Sequence, residues 1–234
     1  MNTALLLRGL EALALPTQGS LPTLLARYVE ELETWNPAYG LVGASGDELI
    51  VKHILDSLAP ISVIRSLLSR ISTSRAPSNA NRNEPTAPPL SHYLADLGSG
   101  AGLPGIPIAL ALPELRVSLV DRMGKRIRFL ESMKASLPLP NVEIVESEVE
   151  RAPGSYDLVT FRAFRPFERK LFKRVFALCE SDGFVIAYKG KKEKALDELN
   201  AVEGLFSESE ILPVKVPFLD DERCLVILRP APRK

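Results

Sequence analysis

A glycine-rich stretch at residues 96–105 has the residue types that let a protein hold a ligand with its backbone. It reads Asp-Leu-Gly-Ser-Gly-Ala-Gly-Leu-Pro-Gly and stands between a short apolar run at 93–95 and an apolar segment at 106–112. This order predicts a strand, a glycine turn and a helix. Because glycine has no side chain, the backbone can turn sharply and a bound molecule can approach it closely. The stretch therefore predicts a binding site for the phosphate or nucleoside part of a ligand.

A carboxylate follows in the next predicted unit. Residues 116–120 have the apolar pattern of a strand, which ends at Asp121, about 20 residues after the glycine turn. A carboxylate at this separation, at the carboxyl end of a strand, is placed to accept hydrogen bonds from ribose hydroxyls. Asp121 and the glycine turn together indicate a cofactor that contains a nucleoside.

Two known templates fit the glycine turn. Gly100, Gly102 and Gly105 match the dinucleotide fingerprint G-x-G-x-x-G. The placement of Asp96 two residues before Gly98, with glycines at alternate positions after it, is instead similar to the nucleoside-binding loop of S-adenosylmethionine-dependent methyltransferases. The turn and its carboxylate leave NAD and S-adenosylmethionine both open.

The segment that follows distinguishes the two templates by resemblance. Residues 124–130, Gly-Lys-Arg-Ile-Arg-Phe-Leu, together with the glycine turn resemble the RsmG family, also called glucose-inhibited division protein B. Further matching segments are Trp35-Asn36, residues 53–57, Phe161-Arg162-Ala163, Lys189-Gly190 and residues 219–223. Members of this family transfer a methyl group from S-adenosylmethionine to the ring nitrogen at position 7 of a guanine in 16S ribosomal RNA.

The fold follows from the pattern and from this resemblance. Strands and helices alternate after residue 92, which indicates a parallel, doubly wound sheet. The last two predicted strands, near 211–216 and 224–229, form a final antiparallel pair of the kind usual in methyltransferases. The resemblance implies an α/β, Rossmann-like S-adenosylmethionine-dependent methyltransferase fold, with a mostly parallel sheet, a final antiparallel strand and an N-terminal helical cap.

The resemblance also implies which residues bind the cofactor, S-adenosyl-L-methionine. The predicted contacts are Gly98, Gly100, Leu103, Asp121, Val149, Glu150 and Arg162. Within this set, Val149 and Glu150 match a pair that contacts the adenine end of the cofactor, and Arg162 matches an arginine that contacts the cofactor. Phe161 replaces a serine that is usual in the family.

The chain divides into three predicted parts. Residues 1–71 form a helical cap, residues 72–91 are a flexible insertion rich in proline, serine and asparagine, and residues 92–234 are the methyltransferase domain. Pro37 is predicted to end a cap helix, because the residue before a proline avoids the helical region. Pro166 is predicted to begin the helix after the fourth strand.

Ribosomal RNA, or the small ribosomal subunit, is the predicted substrate. The formal net charge is +0, so RNA binding depends on local clusters of basic residues. Three clusters follow carboxyl ends of predicted strands: Arg122, Lys125, Arg126, Arg128 and Lys134; Arg162, Arg165, Arg169, Lys170, Lys173 and Arg174; Lys189, Lys191, Lys192 and Lys194. These clusters should border one rim of the sheet, where Arg126 and Lys189 are predicted to contact phosphate or guanine.

The chemistry itself requires no catalytic acid or base. Nitrogen 7 of neutral guanine carries a lone pair and no proton, so we assign no catalytic residue. His53 and Asp56, three apart on a helix, are interpreted as a structural cap or as a mutual hydrogen bond, and no metal site is expected. Cys179 and Cys224 are interpreted as buried thiols of a cytoplasmic protein, and a monomer is the default expectation.

Three other functions compete with this prediction. A small-molecule methyltransferase would have the same cofactor half, and only the basic clusters distinguish it from an RNA enzyme. A NAD-dependent oxidoreductase is less well supported, because His53 and His92 both precede the glycine turn. An RNA-binding module without catalysis would not need the intact loop at 96–105.

Overall fold

The computed structural model describes residues 1–71, 92–163 and 165–232, and the predicted insertion at 72–91 lies outside them. Seven strands of the described residues form one sheet, in the order β3-β2-β1-β4-β5-β7-β6. They are β1 (His92–Leu97), β2 (Leu115–Asp121), β3 (Val142–Glu146), β4 (Tyr156–Arg162), β5 (Cys179–Lys189), β6 (Phe206–Pro213) and β7 (Cys224–Pro230). Strands β1 to β5 are parallel, and β7 is antiparallel to both of its neighbours. The predicted fold class is confirmed.

Helices cover both faces of this sheet. They are α1 (Thr3–Ala12), α2 (Ser20–Tyr39), α3 (Gly46–Leu49), α4 (Asp56–Leu58), α5 (Ile61–Arg70), α6 (Gly105–Ala111), α7 (Gly124–Ser136), α8 (Arg169–Leu178) and α9 (Lys192–Ala201). A π-helix, Ile50–Leu55, joins α3 to α4, and a short 3-10 helix, Val149–Arg151, follows β3. The cap helices pack with α6 and α7 in one apolar core, and α8 and α9 pack in another.

The sheet separates these two cores because side chains alternate along a strand. Leu94 and Leu158 belong to the core beneath the cap, whereas their neighbours Ala95 and Val159 belong to the core beneath α8. The central strands are buried on both faces, which accounts for their nearly continuous apolar sequence.

Phe161 belongs to the core beneath α8. Its ring meets Phe167 and Phe172 edge to face, with ring centroids 6.2 and 6.0 Å apart. Because neighbouring side chains of a strand point to opposite faces, Arg162 points to the side of the cap. The replacement of serine by Phe161 therefore extends the core and leaves the face of Arg162 unchanged.

The order of the strands creates a crevice at the carboxyl ends of β1 and β4. Strand β1 lies between β2 and β4, so the connections that leave β1 and β4 run to opposite sides of the sheet. Ligands of open α/β sheets bind at such a switch point. The glycine turn leaves β1 at this edge, and β4 ends there at Arg162.

The predicted end of a helix at Pro37 is wrong, because α2 continues to Tyr39 with Pro37 inside its last turn. Trp35 packs edge to face against Tyr39, with ring centroids 4.8 Å apart, which holds that turn in place. The Asn36 side chain accepts hydrogen bonds from the N–H groups of the two residues after Gly40, at 2.7 and 2.9 Å. These contacts outweigh the local preference of the residue before proline.

The predicted start of a helix at Pro166 is also wrong, because α8 begins at Arg169. The backbone N–H of Phe167 donates to Oε2 of Glu198 in α9, at 3.1 Å. Glu168 has extended dihedral angles, φ −115° and ψ 134°. A contact from a helix distant in sequence keeps this segment extended, and a local proline signal could not reveal it.

Two further findings concern the whole described chain. Cys179 and Cys224 are buried thiols, as the sequence predicts. None of the helices in residues 1–71, 92–163 and 165–232 is both long and apolar enough to span a membrane.

Candidate functional site

The glycine turn is tied to the end of β2 by backbone hydrogen bonds. The N–H groups of Gly98 and Ser99 both donate to the carbonyl oxygen of Val120, at 2.8 and 3.1 Å. Gly100 has φ of 59°, a left-handed conformation that favours glycine. A Cβ built at Gly100 would have only the Gly98 carbonyl oxygen nearby, at 3.8 Å. Its backbone is therefore open to an approaching ligand.

Asp121 is fixed by the turn and by the start of α7. Its Oδ2 accepts hydrogen bonds from the N–H of Gly100, at 2.9 Å, and from Arg126, at 3.2 Å. Its Oδ1 accepts from the N–H of Met123, at 2.9 Å. The carboxylate is 3% exposed, so these donors define its position at the carboxyl edge of the sheet.

A first cleft of about 440 Å³ opens over this carboxylate. Its walls are formed by Gly98, Val120, Asp121, Arg122, Arg126, Ser147, Glu148, Val149, Glu150, Ala163 and Arg165. Four of the predicted cofactor contacts, Gly98, Asp121, Val149 and Glu150, thus line one cleft. Gly100 joins them through its hydrogen bond to Asp121.

Two acidic side chains of the first cleft, Glu148 and Glu150, each form an ion pair with an arginine. The Arg165 guanidinium donates to Oε1 of Glu150 at 2.7 Å, and this hydrogen bond lowers the pKa of Glu150. Arg122 lies 3.7 Å from Glu148. The cleft therefore has charged pairs at its rim and the apolar side chain of Val149, 6% exposed, in its wall. An adenine ring fits such a combination of an apolar wall and polar rim.

Asp96 is a buried carboxylate beneath the glycine turn. The sequence did not indicate it as a contact of the cofactor. Its Oδ2 accepts the N–H of Gly105 at 2.9 Å, and a Cβ at Gly105 would lie 2.7 Å from that oxygen. Its Oδ1 is buried and has no hydrogen-bond partner among the described residues. Burial raises the pKa of Asp96 to about 7, against the opposing effect of the Gly105 hydrogen bond. A buried polar oxygen without a partner, directly beneath the glycine turn, is a second sign that the turn is built for a ligand.

Arg162 lies outside the first cleft, on the side of the cap. Its NH1 donates to the Lys52 carbonyl oxygen at 3.1 Å and to Oδ2 of Asp56 at 3.0 Å. Its NH2 lies 2.9 Å from Nδ1 of His53. Three groups of the cap thus hold one arginine at the end of β4. His53 and Asp56 both bind Arg162, so the predicted mutual hydrogen bond is wrong.

These residues form a second cleft of about 520 Å³. It is lined by Gly43, Ala44, Glu48, Lys52, His53, Asp56, Arg162, Ala163, Tyr188, Lys189, Gly190 and Arg223. Ala163 lines both clefts, with φ of 49°, directly after Arg162. The two clefts therefore meet at the carboxyl end of β4, on either side of one residue.

Asp56 connects the cap to the end of the chain. Arg223, in the loop before β7, donates from Nε to Oδ1 of Asp56 at 3.1 Å. One buried carboxylate, 6% exposed, therefore bridges two arginines that come from β4 and from the loop before β7. Sequence reasoning did not place Asp56 or Arg223 in a site, although both lie in segments that match the family, residues 53–57 and 219–223.

His53 owes its position to the π-helix. The wider turn at Ile50–Leu55 holds the Lys52 carbonyl oxygen and the His53 ring so that both contact Arg162. Single π-helical turns occur frequently at functional sites, where they displace side chains from the positions of a regular helix. The approximate helical spacing of His53 and Asp56 in the sequence could not indicate this displacement.

The two residues predicted to contact RNA lie in different clefts. Arg126 lies in the first cleft beside Asp121, whereas Lys189 lines the second cleft. The Lys189 ammonium pairs with Oε2 of Glu198 at 2.6 Å and lies 4.3 Å from the centre of the Phe167 ring. Leu103, predicted to bind the cofactor, is 5% exposed and lies in the core beneath the turn.

The basic clusters are partly neutralised. Arg122, Arg126 and Arg165 pair with carboxylates of the first cleft. Arg169 and Arg174 donate to backbone carbonyl oxygens. Several of the basic side chains are therefore engaged within the protein. The described part of the chain contains no group of three or more histidine, cysteine, aspartate or glutamate side chains able to hold a metal ion.

Comparison with known proteins gives consistent results. The profile of the family described as "GidB: rRNA small subunit methyltransferase G" matches residues 85–226. The chain is 38% identical to ribosomal RNA small subunit methyltransferase G of Treponema denticola, over 97% of this chain and 94% of that protein. It is 35% identical to the protein of the same name from Alteromonas mediterranea, over 96% and 95% of the two chains.

Two solved structures show the same fold at low sequence identity. Magnesium protoporphyrin IX methyltransferase from Synechocystis, with bound S-adenosylmethionine, has a TM-score of 0.54 at 16% identity and covers 92% of this chain and 99% of its own. The tRNA (m1A58) methyltransferase TrmI from Aquifex aeolicus has a TM-score of 0.53 at 11% identity, over 74% and 70%. At this level of identity the similarity supports the fold alone.

Proposed function

The chain belongs to the rRNA small subunit methyltransferase G family, and from this premise we propose that its two clefts divide the reaction between the cofactor and the base. The protein is an S-adenosylmethionine-dependent methyltransferase of 16S ribosomal RNA. Membership of the family gives nitrogen 7 of a guanine as the methylated atom. The observation that carries the division of labour is the meeting of the two clefts at Ala163.

The first cleft is the proposed site of S-adenosylmethionine. Gly98 and Gly100 would lie against the nucleoside, Asp121 beside the ribose, and Val149 and Glu150 beside the adenine. The buried Oδ1 of Asp96 supports this proposal, because it is a polar atom below the same turn that has no partner among the described residues. When bound there, the cofactor supplies a methyl group on a sulfonium centre. The leaving group is a neutral thioether, so its departure needs no acid from the protein.

The second cleft is the proposed site of the guanine. A base that is stacked in a duplex cannot enter a cleft of the protein, so the target must lie in a loop or be unstacked. Nitrogen 7 of guanine would face Ala163, where the clefts meet. Lys189, at the wall of this cleft, is the proposed contact to the base or its phosphate.

Three sequence-based assignments take a modified form in this proposal. Arg162 binds three groups of the cap, so we propose that it forms the wall between the clefts and contacts the cofactor only at its methionine end. Arg126, beside Asp121, is proposed to act on the cofactor side. Leu103 would support the turn from beneath.

The rate enhancement would come from orientation. Because the attacking nitrogen has no proton to lose, the chain needs only to hold two reactants in line at a separation of about 3 Å, which is worth several kcal/mol of the barrier. Burial of the reacting atoms between the cap and the sheet would also exclude water. We accordingly assign no general acid or base to the described residues.

The test is methylation of small ribosomal subunits from cells that lack this modification. The purified protein is incubated with S-adenosylmethionine labelled in the methyl group, and the label is mapped on the RNA. We expect the label at nitrogen 7 of one guanine of 16S ribosomal RNA. Cofactor binding by calorimetry without label in the RNA would contradict the RNA substrate and would instead favour a small-molecule acceptor.

A further inference from the structure

His53 presents a hydrogen-bond donor to the second cleft. Its ring lines that cleft and is half-buried, and its Nδ1 lies 2.9 Å from NH2 of Arg162. A guanidinium has only donors, so Nδ1 must accept this hydrogen bond. The proton of the neutral ring is therefore on Nε2. Burial, together with the charge of Arg162, lowers the pKa of His53 to about 4, so the ring is neutral at physiological pH.

The ring is held in this tautomer by a chain of contacts. Arg162 cannot turn away without losing the Lys52 carbonyl oxygen and the Asp56 carboxylate, at 3.1 and 3.0 Å. Asp56 is in turn held by Arg223, at 3.1 Å. The direction of the Nε2–H bond is consequently fixed before a ligand arrives, which is the condition for selective recognition by a single donor.

Nε2 of His53 is available to a ligand. Within the part of the chain that the structure describes, this nitrogen has no hydrogen-bond partner and is not enclosed by the protein. The other cationic donors of the cleft are engaged: Lys189 with Glu198, Lys52 with Glu48, and Arg223 with Asp56 and the Glu222 carbonyl oxygen. The donor of His53 is neutral and has no partner among the described residues, so a base can use it without competing with a carboxylate.

The two purines differ at the atom beside nitrogen 7. Guanine carries the acceptors N7 and O6 on one edge, whereas adenine carries N7 and a donor, the N6 amino group. If N7 faces Ala163, O6 lies on the same edge and faces the wall of the second cleft. A fixed donor in that wall would donate a hydrogen bond to O6 of guanine. It would be repelled by the hydrogens of the N6 amino group of adenine.

We propose that His53 selects guanine by donating a hydrogen bond from Nε2 to O6 of the target base in the second cleft. This inference rests on the proposed function, since it requires a guanine bound in that cleft. It makes His53 a specificity-determining residue and gives Arg162 and Asp56 the role of positioning its ring.

The test compares two purines at the target position. Small ribosomal subunits are reconstituted with guanine or with 2-aminopurine, which retains N7 and the 2-amino group and lacks O6. Single-turnover methylation rates are measured with excess enzyme. The ratio of the two rates is the selectivity for O6. Hypoxanthine, the base of inosine, retains O6 and lacks the 2-amino group. It serves as the control base and should be methylated nearly as fast as guanine.

Two substitutions separate the donor from the acceptor of the ring. His53→Asn retains an acceptor near the position of Nδ1 for Arg162 but removes the donor at Nε2. His53→Gln places an amide nitrogen near the position of Nε2 and withdraws the acceptor. Arg65→Ala is the control, because Arg65 is exposed on the cap helix α5 and lines neither cleft. Calorimetric affinity for S-adenosylmethionine verifies that each variant retains its first cleft.

We expect the wild-type protein to prefer guanine, and His53→Asn to reduce that preference by about ten- to a hundredfold, because O6 loses its partner. His53→Gln should retain part of the preference, and Arg65→Ala should retain all of it. Equal loss of rate on both bases in His53→Asn would overturn the proposal and reduce His53 to a support for Arg162. If the wild-type protein binds the cofactor and methylates none of the bases, the proposed function fails with it.

Discussion

The two clefts are built in different ways. The first is made largely from backbone groups and side chains that follow one another closely in the sequence, between the glycine turn and the 3-10 helix at Val149–Arg151. The second is made from side chains of the cap, of β4 and of the loop before β7. A site that depends on backbone geometry is fixed when the sheet forms. A site assembled from distant charges depends on each partner, and the following predictions test this difference.

The largest effect is expected at Asp56, which belongs to the second cleft alone. Asp56→Asn leaves Arg162 and Arg223 without their counter-charge, so the free energy of unfolding should fall by about 3 kcal/mol, the lower end for breaking a buried pair. Methylation should be lost, because His53 and Arg162 are no longer fixed. The affinity for S-adenosylmethionine, measured by calorimetry, should change by less than about threefold, since the first cleft is retained.

Glu48→Gln is the control for this substitution, because Glu48 forms an exposed pair with Lys52 in the same cleft. Its melting temperature should equal that of the wild-type protein. A parallel loss of cofactor affinity and of methylation in Asp56→Asn would show that the two clefts are not independent.

The effect at Asp96 ranks after that at Asp56 because methylation is weakened and not lost, and its effect on stability depends on pH. Its pKa is about 7 in the folded state, against an ordinary value of 3.8. Between about pH 4 and pH 7 the folded protein therefore binds a proton that the unfolded chain has released, and the free energy of unfolding falls as pH rises through this window. Asp96→Asn should remove this slope and stabilise the cofactor-free protein at pH 8, by a few kcal/mol at about 1.4 kcal/mol per pKa unit.

Thermal unfolding at pH 5 and pH 8, without the cofactor, measures this effect. The same variant should bind S-adenosylmethionine more weakly, because the buried acceptor has been replaced by an amide. An unchanged pH slope in Asp96→Asn would show that Asp96 is already ionised in the folded protein at pH 5.

A smaller effect is expected at Gly100, whose backbone faces the first cleft. Gly100→Ala should cost about 1 to 2 kcal/mol of stability because of its φ of 59°, and should weaken cofactor binding at least about tenfold, since the new methyl group points to open space beside Asp121. Gly40→Ala is a matched control, with φ of 58° and no atom near its Cβ. The control should lose similar stability and keep full cofactor affinity. Equal affinities in both variants would argue against a ligand at the turn.

The smallest effect distinguishes between two roles of Arg126, a contact on the cofactor side and a contact with the RNA. Arg126→Ala removes a partner of Asp121, with an exposed fraction of 37% for the arginine side chain. We expect KM for S-adenosylmethionine to rise about threefold, in line with the small energy of a partly exposed ion pair, while KM for the ribosomal subunit stays constant. The opposite result, a change confined to the RNA, would return Arg126 to the RNA-binding role that its sequence suggests.

The comparison of the clefts also explains what could be predicted from the sequence. Gly98, Gly100 and Asp121 lie in one strand-turn-helix-strand unit, where local spacing determines geometry, and they lie together in the structure. The contact between Asp56 and Arg223 joins residues 167 positions apart, and no local pattern indicates it. Arg162 lies at the end of β4, as predicted, but its partners in the cap, Lys52, His53 and Asp56, are between 106 and 110 positions away, and no local pattern indicates them.

The two errors at prolines have the same origin. A helix continues through Pro37 because Asn36 and Trp35 form contacts beyond the turn, and the segment after Pro166 stays extended because Glu198 accepts its Phe167 N–H. In both cases side-chain contacts, local ones at Pro37 and one from a distant helix at Pro166, outweighed the local preference around a proline.

The bridge of Asp56 to Arg223 has a consequence for the synthesis of the protein. The cap is translated first, yet its buried carboxylate acquires the second arginine only after the loop before β7 has been made. A nascent chain can form the glycine turn and the first five strands well before that moment. The cleft proposed for the cofactor would therefore form early during synthesis, and the cleft proposed for the RNA base would be complete only late.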